Sequence, residues 1–353
     1  KIGERKNLII NGAMQVAQRG TSFTSVTASA YHLDRFQYNL NGTVGAATVT
    51  QNTVTDLAGF TKSLKVDCTT ADASLATSDR LTLRYAFEGQ DLQQVAKGTS
   101  SAKQLTLSFY IKATKTGTQI VELFDHDNTR HCAKSVTISQ SNTWEKKTIT
   151  YPADTTGALD TDNANSISIF FGIACGSDFT SGTLATAWAA NANANRFVGQ
   201  VNHFDNTANN FEITGVQLEV GSVATDFEHR SFAQELALSQ RYCQVLGGNR
   251  TQELLMHGTF NGAGTVTGFY EAQVQFREKP SFSISNVAHV NCYGFNAVDA
   301  GSPTSMSLIN AMTDKHWIYI DNALSSNVGT GGLTAMVRAN STTACKFTLD
   351  AEL

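Results

Sequence analysis

The apolar and polar positions along the chain follow mainly a period of two. In residues 105–111 the odd positions are Leu, Leu, Phe and Ile, and the even positions carry Thr, Ser and Tyr. A similar alternation covers residues 211–218, where Gly215 interrupts the pattern and predicts a β-bulge. Because a period of two places alternate side chains on opposite faces, these segments are predicted to be half-buried β-strands. Many such strands, separated by Gly, Asn, Asp and Ser, predict an all-β fold, either a sandwich or a barrel.

Residues 231–246 are the one segment that carries the signals of an α-helix. Ser231 is the expected N-cap, Gln234 completes a capping box, and Gly247 marks the expected end. The apolar side chains form two stripes, and a helix that is apolar on two sides needs two packing partners. We expect one stripe to pack on the chain's own β-structure and the second to meet the same helix of another copy. This second stripe consists of Leu238, Tyr242 and Val245.

The order of these elements predicts three parts. Residues 1–229 form a large β-sandwich domain, residues 230–246 a short linking helix, and residues 247–353 a second, smaller β-sandwich domain. A length of 353 residues suits two domains of ordinary size. Because the chain begins at Lys1 rather than Met, we expect a fragment that lacks its targeting information.

Composition and charge exclude several classes of function. Charged residues make up only 16% of the chain, the net charge is −4 and the isoelectric point is about 6.1, which argues against a nucleic-acid-binding protein. No apolar run approaches the ~18 residues of a membrane helix, so membrane insertion is not expected. The six cysteines form no CxxC motif. Several of them alternate with apolar residues, so we expect buried free thiols, as in a protein assembled in a reducing cytoplasm.

The sequence contains no recognised catalytic motif, so no catalytic residue is predicted. Neither GxSxG, HExxH nor a phosphate-binding loop occurs. A glycosidase needs two carboxylates across a cleft, and Glu88, Asp91 and Glu122 are candidates whose separation the sequence leaves open. Asp125 and Asp127 present alternating oxygen ligands of the kind that calcium binds, with a solvated turn as the alternative. No other cofactor is expected.

Aromatic side chains outside the predicted core are the candidates for contacts with a ligand. Trp317 and Tyr319 alternate with Ile318 and Ile320, and we expect the aliphatic pair to face the core. Trp188 lies in a long polar loop, where it either forms a contact surface or folds back onto its domain. The full set of candidate binding residues is Trp317, Tyr319, Tyr293, Phe295, Trp188 and Arg196.

Several motifs stand out within residues 7–246. The segment opens with NLIINGAMQV at residues 7–16, and DRF follows at residues 34–36. The most specific motif is ITGVQLEVGS at residues 213–222, which leads into FEHR at residues 227–230. These segments resemble a bacteriophage tail-fibre family, and the strands of the large domain resemble a jelly-roll carbohydrate-binding module.

The resemblance implies a fold, an assembly and a role. The large domain would be a jelly roll, the seam residues of the helix would meet at a three-fold axis, and the C-terminal domain would be the distal tip. The protein would be a non-enzymatic, homotrimeric virion tail fibre, assembled in the cytoplasm of a bacterial host. It would contact other tail or baseplate proteins and bind a host cell-surface glycan or protein. A tail-fibre enzyme that degrades polysaccharide and a purely structural fibre or decoration protein are the alternatives.

Overall fold

The computed structural model of the chain describes residues 6–261, 264–294, 299–324, 332–340 and 342–353. The chain forms two compact units. The first runs to Leu236 and also includes Leu353, and the second is Ala237–Glu352. The boundary between the units therefore falls inside the segment for which the sequence predicted a continuous linking helix.

The first unit consists of two antiparallel sheets. Its strands are β1 (Ser22–Val26), β2 (Ala30–Leu33), β3 (Phe36–Asn41), β4 (Ala46–Thr53), β5 (Lys62–Thr70), β6 (Arg80–Glu88), β7 (Leu105–Ala113), β8 (Gly117–Asp125), β9 (Arg130–Ile138), β10 (Glu145–Tyr151), β11 (Asn165–Cys175), β12 (Ala189–Ala190) and β13 (Asn210–Val220). One sheet has the order β1-β4-β5-β13-β7-β10, and the other has the order β12-β9-β8-β11-β6-β3-β2. Between β5 and β11 the chain crosses from sheet to sheet at every step except the β8–β9 hairpin. This connectivity confirms the predicted jelly-roll β-sandwich.

The core of the first unit lies between the two sheets, where the period of two places it. Leu105, Leu107, Phe109 and Ile111 on β7 are at most 3% exposed, and they pack against the inward face of the opposite sheet. Five of the six cysteines are buried and Cys175 is partly buried, and all six are free thiols.

The predicted bulge at Gly215 is present and has a structural reason. The pairing of β13 with β7 shifts register between Thr214 and Gln217, and Gly215 has a φ of 60°. A side chain at Gly215 would lie 2.8 Å from the ring of Phe60, so glycine fits both the backbone conformation and the space. A Cβ at Gly12 would clash with the main-chain oxygen of the neighbouring Val216.

The two motif regions that carry the family resemblance bind each other within the first unit. The Glu228 carboxylate accepts from the main-chain N–H of Asn7 at 2.6 Å. Arg230 Nη1 donates to the main-chain oxygen of Ile9 at 3.0 Å and pairs with Glu235 at 3.1 Å. Glu235 in turn accepts from the main-chain N–H of Asn11 at 2.7 Å. These residues stabilise the fold, because they join segments more than 200 positions apart in the sequence.

The second unit consists of a three-stranded and a seven-stranded antiparallel sheet. Its strands are β14 (Cys243–Gly247), β15 (Leu254–Phe260), β16 (Thr265–Glu271), β17 (Ser281–Ile284), β18 (Val290–Gly294), β19 (Asp299–Gly301), β20 (Pro303–Leu308), β21 (Trp317–Leu324), β22 (Thr334–Ala339) and β23 (Lys346–Asp350). The sheet orders are β14-β23-β17 and β19-β18-β22-β15-β16-β21-β20. Residues of both sheets share one buried apolar cluster, as expected for the smaller β-sandwich.

The helical elements are short. They are α1 (Ser177–Thr180), α2 (Phe232–Gln240) and the 3₁₀ turns Gly89–Val95, Asn193–Asn195 and Val287–His289. The capping box predicted at the start of α2 is present, because the Ser231 N–H donates to Gln234 Oε1 at 3.0 Å and the Gln234 N–H to Ser231 Oγ at 3.3 Å. No helix among the described residues is both long and apolar enough to cross a membrane.

The predicted helix over residues 231–246 is wrong in its second half. The helix ends at Gln240, and Cys243–Gly247 instead pairs with β23 as strand β14, with Val245 opposite Thr348. Tyr242 is only 1% exposed within the single chain. Of the three predicted seam residues, only Leu238 lies on the helix. Leu238, Tyr242 and Val245 therefore do not form an apolar stripe on one helix.

Candidate functional site

Strand β21 carries two aromatic side chains on the outer face of the seven-stranded sheet of the second unit. Ile318 and Ile320 are fully buried, whereas Trp317 is 38% exposed and Tyr319 is half-buried. The expectation that the aliphatic pair faces the core is therefore confirmed.

The neighbouring strand β16 extends this aromatic surface. In the antiparallel register Phe269 lies opposite Tyr319, and Glu271 lies opposite Trp317. Phe269 is 38% exposed. Directly opposed residues have Cβ atoms about 4.5–5.5 Å apart and share one face of the sheet. Trp317, Tyr319 and Phe269 therefore form one continuous apolar surface.

Three further strands continue the same face. His257 on β15 lies opposite both Phe269 and Met336, with ring centroids of His257 and Phe269 6.5 Å apart. Met336 on β22 lies opposite Tyr293 on β18. The Arg338 guanidinium stacks on the Tyr293 ring, 3.9 Å from its centroid. We call this surface the aromatic face. It consists of Trp317, Tyr319, Phe269, His257, Met336 and Tyr293.

Polar groups around Trp317 fix its position and supply hydrogen-bonding capacity. Asp314 Oδ1 accepts from the main-chain N–H groups of Trp317 at 2.7 Å and His316 at 2.6 Å. These two bonds hold the pKa of the Asp314 carboxyl below its usual value, the bond from Trp317 contributing most. His316 Nε2 lies 3.1 Å from Glu271 Oε1. The aromatic face thus combines stacking surface with an acid, an imidazole and a guanidinium at its margin.

The structure brings Trp317, Tyr319 and Tyr293 of the predicted set onto one face, and Phe295 lies outside the described residues. Phe269 and His257 belong to the same face but were not predicted from the sequence. The alternation of Thr265, Thr267 and Phe269 was visible as a strand pattern. It did not reveal that this strand lies beside Trp317 and Tyr319.

Arg196, also predicted as a binding residue, has an internal role. It is 5% exposed, and its Nε and Nη2 atoms donate to the fully buried Glu122 carboxylate at 2.8 and 2.6 Å. His131 Nδ1 lies 2.9 Å from the same carboxylate. Burial alone would raise the pKa of Glu122, but the attraction of Arg196 and the bond with His131 outweigh it and lower the pKa. A guanidinium committed in this way is not available to a ligand.

Trp188 folds back onto the first unit, which was the alternative to a contact surface. Its indole Nε1 donates to the main-chain oxygen of Pro152 at 2.9 Å. The Lys97 ammonium lies 5.1 Å from the centre of the Trp188 ring, and the side chain packs against the unit's core. The structure does not support a ligand-binding role for this residue.

The calcium hypothesis for Asp125 and Asp127 is not supported either. Asp125 is fully buried and pairs with Lys97 Nζ at 2.5 Å. The lysine ammonium therefore occupies the position beside the carboxylate that a calcium ion would need. The Asp127 carboxylate accepts from the main-chain N–H of Asp160 at 2.9 Å, a bond that joins two segments distant in the sequence. Across the described part of the chain, no group of three or more His, Cys, Asp or Glu side chains is placed to hold a metal ion.

Comparison with known proteins gave structural neighbours only. No protein-family model matches the chain, and no curated protein matches its sequence. The enzymatically active domain of tailspike protein 4 of bacteriophage CBA120 is 14% identical, with a TM-score of 0.29, over 61% of this chain and 21% of that chain. The chain thus spans about a fifth of that phage protein.

Two carbohydrate-binding modules are similar at the same level. The CBM22-1 xylan-binding domain of Paenibacillus barcinonensis is 8% identical, with a TM-score of 0.29, over 63% of this chain and 100% of that chain. A family 11 module from a cellulosomal cellulase of Clostridium thermocellum is 13% identical, with a TM-score of 0.25, over 64% of this chain and 99% of that chain. The jelly-roll assignment rests on the strand order of the chain itself.

Proposed function

We propose that the protein is a non-enzymatic tail-fibre or receptor-binding protein of a virion, and that it adheres to a host cell-surface glycan. The observation that carries the proposal is the aromatic face, with Trp317 and Phe269 each 38% exposed on adjacent strands. The motifs at residues 7–16 and 213–230 support the phage assignment, since they resemble tail fibres. Other tail or baseplate proteins are the expected partners, after assembly in the host cytoplasm.

The chemistry of the aromatic face suits a sugar. The C–H face of a pyranose ring packs on an exposed aromatic ring, while its hydroxyl groups need acceptors and donors nearby. Glu271 and His316 beside Trp317 provide these, and Asp321 lies on the same face next to Tyr319. Tyr and Trp side chains lose little conformational entropy on binding, and a few such anchors dominate the affinity of many interfaces.

The environments of the carboxylates support adhesion rather than catalysis. A glycosidase needs two carboxyl groups about 5–10 Å apart that both reach the scissile bond. Two of the three sequence candidates, Glu88 and Glu122, are fully buried, and Glu122 is occupied by Arg196 and His131. Release of reducing ends from a polysaccharide incubated with the protein would contradict the non-enzymatic proposal. Electron microscopy of labelled virions separates a tail fibre from a decoration protein.

Replacement of Trp317 by alanine is expected to weaken glycan binding by about 2 kcal/mol, or about thirtyfold. Phe269→Ala should have a similar effect, because the two rings belong to one surface. The ligand is first identified on an array of bacterial surface polysaccharides, and the affinity of each full-length variant is then measured by calorimetry. Trp144→Ala is the control, because Trp144 is a partly exposed tryptophan that lies in the first unit.

Equal affinity of the folded Trp317→Ala, Phe269→Ala and wild-type proteins would exclude the aromatic face as the binding site. Circular dichroism of each variant separates this outcome from misfolding. If protease treatment of host cells abolishes adsorption and periodate oxidation does not, the receptor is a protein rather than a glycan.

We also propose a homotrimer, as the tail-fibre resemblance implies. Phe232 in the first turn of α2 is 58% exposed, and its ring offers an apolar contact for another copy.

Sedimentation at micromolar concentration should give three times the 38.0 kDa of the chain. Phe232→Asp should reduce this mass to that of one chain, since desolvating unpaired charges costs several kcal/mol. Ala233→Asp is the control, with the same charge beside it in the same exposed turn. A wild-type protein that sediments at 38.0 kDa would contradict the proposal.

A further inference from the structure

The first unit has a groove of about 890 Å³, whereas the aromatic face belongs to the second unit. Its walls are the N-terminal segment at Lys6, the 3₁₀ turn that carries Gln90 and Gln94, and the loop that contains Val223 and Thr225. Lys103 stands at its margin. The volume falls in the range of ordinary ligand sites.

Both lysine ammonium groups of the groove and one of its three glutamine amides are uncommitted. The other two amides donate within the fold, Gln90 Nε2 to Glu88 and Gln93 Nε2 to the main-chain oxygens of Gly89 and Asp160. Among the described residues, Lys6 Nζ, Lys103 Nζ and the Gln94 amide have no hydrogen-bonding or ion-pair partner. Lys103 and Gln94 are also exposed. An uncommitted ammonium recognises an acceptor that carries negative charge, and an amide pairs with a hydroxyl group both as donor and as acceptor.

The acidic groups of the groove are engaged in the fold. Glu219 is 4% exposed, and its two oxygens accept from the Thr225 N–H at 3.0 Å and the Thr225 hydroxyl at 2.6 Å. These bonds fix the loop that forms one wall. Asp91, the other acid in the groove, also has an interaction partner. The groups without a partner are therefore the two ammonium groups and the Gln94 amide, and Asp91 is an exposed acid in the same groove.

We infer that this groove binds an acidic polysaccharide chain, with sugar carboxylates paired to Lys6 and Lys103 and sugar hydroxyl groups bonded to the Gln94 amide. Three glutamines, Gln90, Gln93 and Gln94, line one wall, whereas the only strongly exposed apolar side chain in the groove is Val223, at 72%. A peptide ligand would need apolar pockets or a free strand edge for its backbone, and this wall favours a hydroxyl-rich chain.

The site is distinct from the aromatic face in both position and chemistry. No aromatic side chain lines the groove, so affinity depends on charge and on hydrogen bonds and falls as salt screens the ammonium groups. The inference holds for the first unit even if the second unit binds no glycan.

The test titrates the full-length protein with hexagalacturonate and with a tetramer of sialic acid. The methyl ester of each has the same hydroxyl groups without the charge, and hexaglutamate provides charge on a peptide. We expect both acidic sugars to bind, with an affinity that falls as the ionic strength rises, and the esters and the peptide to bind more weakly. Lys103→Gln should weaken acidic-sugar binding about three- to fivefold, the range of an exposed ion pair, and Lys6→Gln/Lys103→Gln should weaken it further.

Lys146→Gln is the matched control, because it removes the same charge from an exposed lysine outside the groove, and it should leave binding unchanged. Absence of binding by both acidic sugars, equal binding of the esters, or equal effects of the Lys103 and Lys146 changes would overturn the inference. Stronger binding of hexaglutamate would assign the groove to an acidic peptide instead. Loss of acidic-sugar binding in Trp317→Ala, with no loss in Lys103→Gln, would assign the ligand to the aromatic face. Retention in Trp317→Ala keeps the two proposals separate.

Discussion

Replacement of Lys97 by methionine is expected to lower the free energy of unfolding of the first unit by about 3–5 kcal/mol. The Lys97 ammonium is buried between two carboxylates, 2.5 Å from Asp125 Oδ2 and 3.1 Å from Asp154 Oδ2. It also donates to the main-chain oxygens of Thr156 and Gly157 at 3.0 and 2.9 Å. Methionine fills similar space but leaves both acids without this cation.

Arg130 compensates only in part for the loss of Lys97. It pairs with Asp154 through Nε at 2.9 Å. Although burial tends to raise the pKa of Asp154, the bonds from Arg130, Thr156 and Lys97 together lower it. The remaining acid, Asp125, is fully buried and keeps only the amide and main-chain N–H of Asn128 close by. Most of the cost of Lys97→Met should therefore come from Asp125.

The measurement is urea-induced unfolding of the full chain, followed by tryptophan fluorescence, to which Trp144 and Trp188 of the first unit contribute. Lys112→Met is a closely matched control, because Lys112 also pairs with an aspartate, Asp56, and also lies over a tryptophan, Trp144, 5.6 Å from its ring centre. The Asp56 side chain is 54% exposed, so this change should cost less than about 1 kcal/mol. Similar losses for the two variants would refute the argument from burial.

Replacement of Glu122 by glutamine is also expected to lower the free energy of unfolding of the first unit by about 3–5 kcal/mol. The amide keeps the volume but removes the charge that Arg196 and His131 share. The Arg196 guanidinium would then remain buried against the rings of Phe124 and Phe170, at 4.8 and 5.5 Å from their centres. Stacking on these rings cannot replace a bidentate carboxylate.

The pH dependence gives this second prediction an independent readout. The pKa of Glu122 is lower in the folded state than its usual value. The stabilisation from its charge is therefore complete above the unfolded pKa of about 4.3, and it is lost as the pH falls through the lower folded value. The difference between wild type and Glu122→Gln should be constant from neutral pH down to about pH 5 and shrink in stronger acid.

Two further variants test whether burial is the cause. Asp67→Asn removes a carboxylate that pairs with Lys65 at 2.8 Å, with side chains 34% and 25% exposed, and it should cost less than about 1 kcal/mol. The double variant Glu122→Leu/Arg196→Met removes both charges and should be more stable than either single change, since neither residue is then left charged without the other. A double variant as unstable as the sum of both changes would show that packing, not charge, dominates at this site.

The period-two pattern alone determined the class of fold and the direction of many side chains. It placed Leu105 to Ile111 in the core and separated Trp317 and Tyr319 from Ile318 and Ile320. It also located the bulge at Gly215. The physical reason is local, because a strand exposes alternate residues to opposite faces wherever its neighbours lie. The capping box at Ser231 and Gln234 was predictable for the same reason, since both partners lie within one helical turn.

Only the tertiary structure decided how these local elements are combined. Residues 243–247 have a pattern compatible with a helix, but pairing with β23, about a hundred residues later, makes them a strand. That pairing also buries Tyr242 and removes Val245 from the helix. The roles of Arg196, Trp188 and Asp125 depended likewise on partners far away in the sequence, Glu122, Pro152 and Lys97. The sequence pattern around a charged or aromatic loop residue does not show whether that residue is buried with a partner or exposed to a ligand. Long-range contacts decide its surroundings. The proximity of Phe269 to Tyr319 and the groove at Lys103 arise in the same way, from strand order and loop packing that the sequence pattern does not encode.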